Sequence, residues 1–396
     1  MKYKVSVIVP AYNATKHIYN CIDSILSQSL QDIEIIVVND GSTDNTLEIL
    51  EKLALNDNRL KIINQENQSV GAARSNGVYA SNSNFIAFVD SDDTIFKDML
   101  KIMYEKAIKN NSDIVVCDYV CVDEENNILK TKKFQNIKPH FQSMLNFKIN
   151  TETWNKLYKK ELFTKNNFRF KERVFCEDLA SNIELFYYAK QIDFANEPLY
   201  NYYVNPNGAS YSVTSKNIDD VFLALQTNKQ FLIKNNIFKK YKEQFSFRIL
   251  YQLDLMNSSK DLKQYINKKL KEYNYFDIES EFITKEYLLD DEKFKSLKFK
   301  AYSVYKQGIK SVFIYGYGEP FKYIENIFNK YDIKIDAVIE TQDNKRKLEY
   351  KYGTLDTFKE YLDGRNILII SLSYESEIQN TINSFFNTNN LEINII

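Results

Sequence analysis

Short β-branched runs alternate with amphipathic helical segments in the N-terminal part of the chain. Strands are predicted at residues 5–9, 33–38, 60–63 and 85–89. Between the first two runs, apolar side chains recur at helical spacing from Ile18 to Ile25. Such alternation is typical of consecutive βαβ units, so the sequence predicts an α/β domain with a mostly parallel sheet.

The pattern changes twice further along the chain. After residue 215 the sequence is rich in Lys, Asn and Glu and keeps an amphipathic period, which predicts a helical connector. A second βαβ pattern begins at Ser311 and predicts a small Rossmann-like α/β domain. The expected division is 1–215 for the first domain, 216–305 for the connector and 306–396 for the last domain.

The charge balance and the few histidines exclude several classes of function. Lys and Arg number 52 against 53 Asp and Glu, so the formal net charge of -1 gives no global electrostatic argument for a nucleic-acid partner. With 2 histidines in the chain, a multi-histidine metal site is excluded, and any cation must be held by oxygen atoms. The 4 cysteines lack metal-like spacing and are expected to be buried free thiols.

The apolar runs of the sequence are too short to cross a membrane. The longest, such as residues 5–10 and 33–38, have the length of strands, whereas a spanning helix needs roughly 20 apolar residues. The first residues also lack the apolar core and cleavage site of a signal peptide. The sequence therefore predicts a cytoplasmic protein whose membrane contact, if any, is peripheral.

Polar residues follow the second and the fourth predicted strands, at Asn39 to Ser42 and at Asp90 to Asp93. Parallel strands with right-handed crossovers bring their carboxyl ends to one edge of the sheet, where ligands bind in open α/β folds. The two polar segments are therefore expected to lie close together.

The carboxylates of Asp90 and Asp92 are the first candidates for chemistry. If strand geometry continues past Val89, the two side chains project to the same side. At about 4 Å and an effective dielectric of about 20, two carboxylates repel by roughly 4 kcal/mol, so the pair needs a cation or a raised pKa. Taken alone, an Asp-rich segment after a strand also fits a simple turn or a helix cap.

Four segments of the chain together resemble the family 2 glycosyltransferases with the GT-A fold. They are Val5 to Asn13, Val37 to Asp44, Gly71 to Gly77 and Asp90 to Asp93, in the order and at the spacing of that family. The resemblance covers roughly residues 3 to 210 and is strongest to bacterial members that build surface polysaccharides. It implies a Rossmann-like, mostly parallel sheet that binds a nucleotide-sugar, with a UDP-sugar as the expected donor.

The resemblance implies a pocket for the nucleotide near the first two segments. Pro10, Ala11, Tyr12 and Asn13 would line it, with the Tyr12 ring against the nucleobase. Asp40 would accept the uracil N3–H, because uracil presents one donor between two acceptors and suits an acceptor-only side chain. Without the resemblance, Asp40 also fits an Asx turn that leads into the next helix.

The diphosphate end of the donor is expected beside the third and fourth segments. Gly71 permits close backbone approach, and Arg74 would reach the diphosphate unless it is a surface arginine. By the resemblance, Asp92 ligates Mn2+ or Mg2+, Asp90 contacts the ribose or the metal, and Ser91 lies between them. A metal ion in such a site neutralises the leaving diphosphate.

Two further segments carry the expected catalytic and acceptor residues. Glu177 and Asp178 precede a predicted helix, where acidic residues also favour the helix dipole. The resemblance implies that Asp178 is the catalytic base and that Glu177 is its neighbour in the motif. Trp154, Asn155 and Lys156 resemble an acceptor-side segment of bacterial members, and Trp154 would either support an acceptor sugar or pack in the core.

The reaction implied by the resemblance is an inverting, metal-assisted, in-line displacement by a glycan or lipid-linked acceptor hydroxyl. It would assemble capsule, lipooligosaccharide or related glycans at the cytoplasmic face of the inner membrane. The alternative is a non-catalytic, nucleotide-sugar-binding scaffold in a polysaccharide assembly complex. Residues 200–210 occupy the place of an arginine-containing lid loop in many members, but they contain no arginine.

Gly316 and Gly318 follow a predicted strand in the last domain, as glycines do in dinucleotide sites. The third glycine position holds Phe321, and Pro320 falls at the start of the following helix. This departure favours a structural or partner-binding domain over a cofactor site.

Overall fold

The computed structural model describes residues 3–272 with short gaps, and segments of the chain after them. The gaps are residues 135, 137, 146–148, 206–212 and 257–259. After residue 272 the described residues are 311–315, 321, 325, 328–329, 334–339, 351–353, 368–371 and 394–395. The chain forms two compact units, Met1–Ile278 and Glu279–Ile396. The expected three-part division stays a prediction.

Nine of the described strands form the sheet of the first unit. They are β1 (Val5–Ala11), β2 (Ile33–Asp40), β3 (Leu60–Gln65), β4 (Phe85–Phe88), β5 (Thr94–Ile95), β6 (Ile114–Val122), β7 (Ile128–Lys132), β8 (Lys156–Lys159) and β9 (Ile192–Tyr203). Their order is β3-β2-β1-β4-β8-β6-β9-β5, with β7 paired to β6. The first four strands are parallel, and β8 runs antiparallel between β4 and β6. The predicted α/β class is confirmed.

Helices lie between and after these strands. They are α1 (Ile18–Leu26), α2 (Thr46–Asn56), α3 (Val70–Ala80), α4 (Met99–Asn110), α5 (His140–Leu145), α6 (Glu161–Thr164), α7 (Glu177–Tyr188), α8 (Ser215–Lys234), α9 (Phe238–Leu255) and α10 (Lys260–Glu272). Among the described residues, no helix is both long and apolar enough to cross a membrane.

Both faces of the sheet are buried, which explains the continuous apolar runs of the sequence. Val7 and Val9 of β1 pack with α1 and α4 on one face, while Ile8 packs with α3, α6 and α7 on the other. A strand buried on both faces needs apolar side chains at successive positions, so β1 and β2 show little alternation. The carboxyl ends of β1, β2 and β4 therefore emerge together at one edge of a rigid layer.

The predicted connector is helical as far as the structure describes it. Thr214 begins α8 with a capping box, in which its Oγ1 accepts the Asn217 N–H at 3.3 Å and Asn217 Oδ1 accepts the Thr214 N–H at 2.8 Å. The buried face of α8 packs against α7, and α9 packs against α8 and α5. These helices thus belong to the same compact unit as the sheet.

Five parallel strands are described in the second unit. They are β10 (Ser311–Tyr315), β11 (Lys334–Ile339), β12 (Lys351–Gly353), β13 (Leu368–Ser371) and β14 (Asn394–Ile395), in the order β12-β11-β10-β13-β14. This order, with the first strand central, is typical of doubly wound sheets. Gly316, Gly318 and Pro320 lie outside the described residues, and the Rossmann-like assignment stays a prediction.

Candidate active site

A cavity of about 940 Å³ opens at the carboxyl ends of β1, β2 and β4. Its wall includes most of the residues predicted for the site: Pro10, Ala11, Tyr12, Asp40, Arg74, Asp90, Ser91, Asp92, Trp154, Glu177 and Asp178. Tyr12 is 51% exposed and lines the cavity, so its aromatic ring is open to a ligand there. The fold therefore brings together segments that are far apart in the sequence.

Asp40 is the last residue of β2, and its carboxylate holds the loop before α3. Its Oδ1 accepts hydrogen bonds from Gln65 Nε2 at 2.7 Å and from the Gln68 N–H at 2.8 Å. Its Oδ2 accepts the Ser69 N–H at 2.9 Å. Ser69 has a φ of 106°, a strained backbone conformation that the neighbouring bonds stabilise. Asp40 is buried, yet it still contributes to the cavity wall.

Arg74 lies on α3 and joins two carboxylates of the site. Its Nη2 donates to Asp90 Oδ1 at 2.6 Å, and its Nη1 donates to Glu177 Oε1. Burial opposes the positive charge, but the negative charge of Asp90 raises the pKa of Arg74 above its ordinary value. The alternative of a surface arginine is excluded because the side chain is only 5% exposed.

The acidic segment after β4 forms a turn. Asp90 and Asp92 were expected to project to the same side if strand geometry continued past Val89, and this condition is not met. β4 ends at Phe88, so the extended geometry does not continue to Asp90. The Asp93 N–H donates to the Asp90 carbonyl oxygen at 3.0 Å, which closes the turn. Asp90 and Asp92 nevertheless both line the cavity.

Asp93 is turned away from this pair and anchors the turn to β9. Its Oδ2 accepts the Tyr200 hydroxyl at 2.7 Å, and its Oδ1 accepts the Tyr203 N–H at 2.7 Å. The same Tyr200 oxygen accepts the Asp90 N–H at 3.1 Å. Strand β9 therefore determines where the acidic turn lies.

Asp92 is the exposed carboxylate of the turn. Desolvation of the Asp92 carboxylate by the surrounding protein, followed by the negative charge of Asp90, raises the pKa of Asp92 to about 6. Among the described residues, no group of three or more His, Cys, Asp or Glu side chains is arranged to hold a metal ion. Mg2+ is usually bound by one or two carboxylates together with substrate phosphates, so this pair of oxygen donors fits a divalent ion shared with a diphosphate.

Asp178 lies in the first turn of α7 and faces the same cavity. Its Oδ1 accepts the Leu179 N–H at 2.6 Å. Burial, with a further contribution from the charge of Glu152, raises the pKa of Asp178 to about 6. A carboxylate whose pKa lies near neutrality is suited to accept a proton from a substrate.

The expected acceptor segment contributes one side chain to the cavity wall. Trp154 is 5% exposed and stacks on Tyr200 and Tyr202, with ring centroids 4.4 and 5.3 Å away, so most of its indole is covered. Asn155 and Lys156 are fully buried and lie outside the wall. Asn155 Nδ2 donates to the Cys117 carbonyl at 2.8 Å, which ties this segment to β6.

Asn13 and Gly71 also lie outside the cavity wall and support it from behind. Asn13 has a φ of 49°, and its Oδ1 accepts the Thr43 N–H at 2.8 Å, which joins the loops after β1 and β2. A Cβ atom on Gly71 would lie 2.1 Å from the Lys171 carbonyl oxygen. Glycine is therefore required for the close approach of α3 to that segment.

Several residues of the cavity wall were missed in the sequence. Glu152 lies in a segment without regular patterning, Gln252 lies on α9, and Met256 directly follows that helix. On the same helix, Arg248 is fully buried and its Nη1 donates to the Met144 carbonyl at 3.1 Å. The spacing of four between Arg248 and Gln252 indicates one face of α9, but it does not identify the surface that this face covers.

The segment expected to act as a lid is described only in part. Tyr200 to Tyr203 belong to β9, and residues 206–212, with Gly208 and Ser210, lie outside the described residues. Asn205, just before that gap, lines the cavity.

The chain matches a known family and is similar to curated relatives. Residues 6–171 match the model described as glycosyl transferase family 2. The uncharacterized glycosyltransferase EpsJ of Bacillus subtilis (strain 168) is 33% identical over 290 residues, which are 67% of this chain and 83% of EpsJ. The cholesterol galactosyltransferase of Borreliella burgdorferi is 30% identical over 274 residues, which are 63% of this chain and 75% of that protein.

A solved structure shares the fold. The crystal structure of S. aureus TarS residues 1–349 in complex with UDP-GlcNAc has a TM-score of 0.50 and 20% sequence identity, and the match covers 77% of this chain and 92% of that one. Together with the family match, this likeness confirms the predicted GT-A fold.

Proposed function

As a member of glycosyl transferase family 2, this chain is a glycosyltransferase, and we propose that it uses a UDP-sugar and inverts the anomeric carbon. The acceptor in this proposal is a hydroxyl of a glycan or of a lipid-linked sugar. The observation that carries the proposal is one cavity that joins an exposed aromatic ring, an acidic turn and a carboxylate with a raised pKa: Tyr12, Asp92 and Asp178.

The nucleotide end of the donor would lie between Tyr12 and Asp40. The exposed Tyr12 ring offers a face for a base, and Asp40 presents an acceptor-only group that suits uracil N3–H. The fold likeness to TarS, which was crystallised with UDP-GlcNAc, supports a UDP-sugar as the donor class.

The diphosphate would lie at the acidic turn. A divalent ion, Mn2+ or Mg2+, bound by Asp92 with Asp90 beside it would neutralise the charge that develops on the leaving diphosphate. Arg74 donates to Asp90 through its Nη2 and to Glu177 through its Nη1, so it fixes the position of the acidic turn relative to the start of α7.

Asp178 would act on the acceptor as the general base. Its carboxylate would take the proton of the attacking hydroxyl while the new bond forms at the anomeric carbon and the bond to the diphosphate breaks. Because the nucleophile enters opposite the leaving group, an α-linked donor would give a β-linked product. Such an enzyme would serve polysaccharide assembly from the cytoplasmic side, with any membrane contact peripheral.

A panel of UDP-sugars tests this proposal. UDP release is measured for UDP-glucose, UDP-galactose and UDP-GlcNAc, each with Mn2+, with Mg2+ and with EDTA. We expect metal-dependent release from at least one donor, strong loss in Asp92→Ala and Asp178→Asn, and wild-type release in Asp32→Asn, whose carboxylate forms a surface ion pair with Lys4.

Two results of the panel would contradict the proposal. One is a wild-type protein that neither binds nor hydrolyses any UDP-sugar, and the other is an Asp92→Ala variant that behaves as wild type. Tight donor binding with release at background would favour the scaffold alternative.

A further inference from the structure

Glu152 is a carboxylate of the cavity that has no role in the proposed reaction so far. It lines the cavity wall, and its Oε2 is buried without a hydrogen-bond partner among the residues that the structure describes. Its charge contributes to the raised pKa of Asp178, so the two carboxylates lie close enough to interact through their charges. A buried acceptor without a donor is unfavourable, by about 1–3 kcal/mol or more for a charged group, unless a ligand supplies the donor.

The segment that carries Glu152 is fixed from behind. The ammonium group of Lys156 is buried and donates to the Glu152 carbonyl oxygen at 2.5 Å, to Asn150 Oδ1 at 2.7 Å and to Asn155 Oδ1 at 2.7 Å. A lysine has three donors, and all three are used on these oxygens. Lys156 therefore holds the backbone of Glu152 in place, and none of its hydrogen bonds goes to Glu152 Oε2.

The position of Glu152 indicates the acceptor side of the cavity. The base of the reaction must touch the acceptor hydroxyl, and Glu152 lines the same cavity as Asp178 and interacts with it through its charge, whereas Tyr12 and Asp40 would form the nucleotide end. A hydroxyl of the acceptor at this place would supply the missing donor, whereas an anionic group could not donate to the Glu152 carboxylate and would be repelled by it.

We propose that Glu152 binds a second hydroxyl of the acceptor, adjacent to the hydroxyl that Asp178 deprotonates, so that the enzyme selects a neutral acceptor with vicinal hydroxyls. This inference rests on the proposed function. The transferred proton goes to Asp178, the acceptor oxygen bonds to the anomeric carbon, and the UDP leaves with the electron pair of the broken bond. Glu152 exchanges no proton and acts through binding and orientation.

The charges around Asp178 come from several elements. They are Glu152 before β8, Lys156 on β8, Arg74 on α3, Asp90 after β4 and Arg248 on α9. Glu152→Gln removes one negative charge from this set and keeps the shape of the side chain. Asp178 should then lose its proton more easily, so the acidic limb of the pH profile should move to lower pH.

The test compares wild type with Glu152→Gln, Glu152→Asp and a control, Glu48→Gln, whose carboxylate is exposed on α2 and paired with Lys52. The first readout is the pH profile of hydrolysis of the UDP-sugar that wild type hydrolyses fastest, which needs no acceptor. We expect the acidic limb to move to lower pH in Glu152→Gln and to stay in place in Glu152→Asp and Glu48→Gln.

The second readout uses probe acceptors. Methyl glycosides of glucose, galactose and mannose, which are neutral, are compared with glycerol 3-phosphate, with UDP release and product mass as the measurements. We expect a neutral glycoside to accelerate release, and we expect Glu152→Gln to raise its KM by about tenfold to a hundredfold, because one hydrogen bond to a charged group is lost. The KM for the donor should not change.

Three results would overturn the assignment of Glu152 while leaving the glycosyltransferase proposal in place. The first is a Glu152→Gln variant in which both the acidic limb of the pH profile and the acceptor KM are unchanged. The second is acceleration of UDP release by glycerol 3-phosphate but by none of the neutral glycosides. The third is donor hydrolysis that no neutral glycoside accelerates. Absence of hydrolysis for every UDP-sugar would instead contradict the proposed function on which this inference rests.

Discussion

Replacing Arg74 with methionine should destabilise the protein much more than the loss of a surface ion pair. The side chains of Arg74 and Glu177 are 5% and 7% exposed, and that of Asp90 is 26% exposed. Removing the shared cation leaves two carboxylates without a counter-ion, one of them buried. Breaking a buried pair in this way costs about 3–5 kcal/mol, whereas a surface pair contributes about 0–1 kcal/mol.

Urea unfolding measures this difference. Trp154 is the single tryptophan of the chain and stacks on Tyr200 beside the site, so its fluorescence reports on this region. The control is Lys165→Met, because Lys165 and Glu161 form a pair whose side chains are 69% and 56% exposed. We expect a large drop in the free energy of unfolding for Arg74→Met and almost none for the control.

A double variant separates charge from packing. In the double variant Arg74→Met with Glu177→Gln, the buried charge that lost its partner is also removed. Its free energy of unfolding should therefore be higher than that of Arg74→Met alone. The reasoning is refuted if Arg74→Met unfolds at the same urea concentration as Lys165→Met, or if the effects of the two single substitutions simply add.

Three further outcomes follow from the site. Burial raises the pKa of Asp178 to about 6, and the protonated carboxyl cannot accept a proton. The rate of donor hydrolysis at saturating metal should therefore increase as the pH rises through about 6, and a flat or falling rate there would count against Asp178 as the base. Gly71→Ala should lower the free energy of unfolding by about 1–3 kcal/mol, measured in urea, because its Cβ would lie 2.1 Å from the Lys171 oxygen; an unchanged midpoint would show that α3 can shift. Asp40→Asn replaces one acceptor oxygen by a donor, so calorimetry should show UDP binding weakened by about tenfold or more, and wild-type affinity would remove Asp40 from the nucleotide site.

The central part of the sheet could be predicted from the sequence because burial on both faces leaves a strong local signal. The apolar runs of β1 and β2 and the helical period of α1 need no knowledge of the rest of the chain. The meeting of Asp40 with the acidic turn follows from the same pattern, since parallel strands end at one edge.

The local geometry of the site could not be predicted, because contacts distant in sequence determine it. Val89 is apolar and buried, yet the strand ends before it, and the turn that follows is held by Tyr200 and Tyr203, up to 110 residues away. Arg74 resembles a surface residue of a small-residue helix until α7 brings Glu177 to it across 103 residues. Glu152 has no motif at all, and only the packed cavity indicates its place.

The stereochemistry of the released sugar tests the central claim most directly. Proton NMR, recorded during hydrolysis of an α-linked UDP-sugar and before mutarotation, identifies the first anomer that appears. If Asp178 activates the nucleophile opposite the leaving diphosphate, the β-anomer appears first with wild type, and no sugar is released by Asp178→Asn. An α-anomer as the first product, or wild-type hydrolysis by Asp178→Asn, would contradict the account.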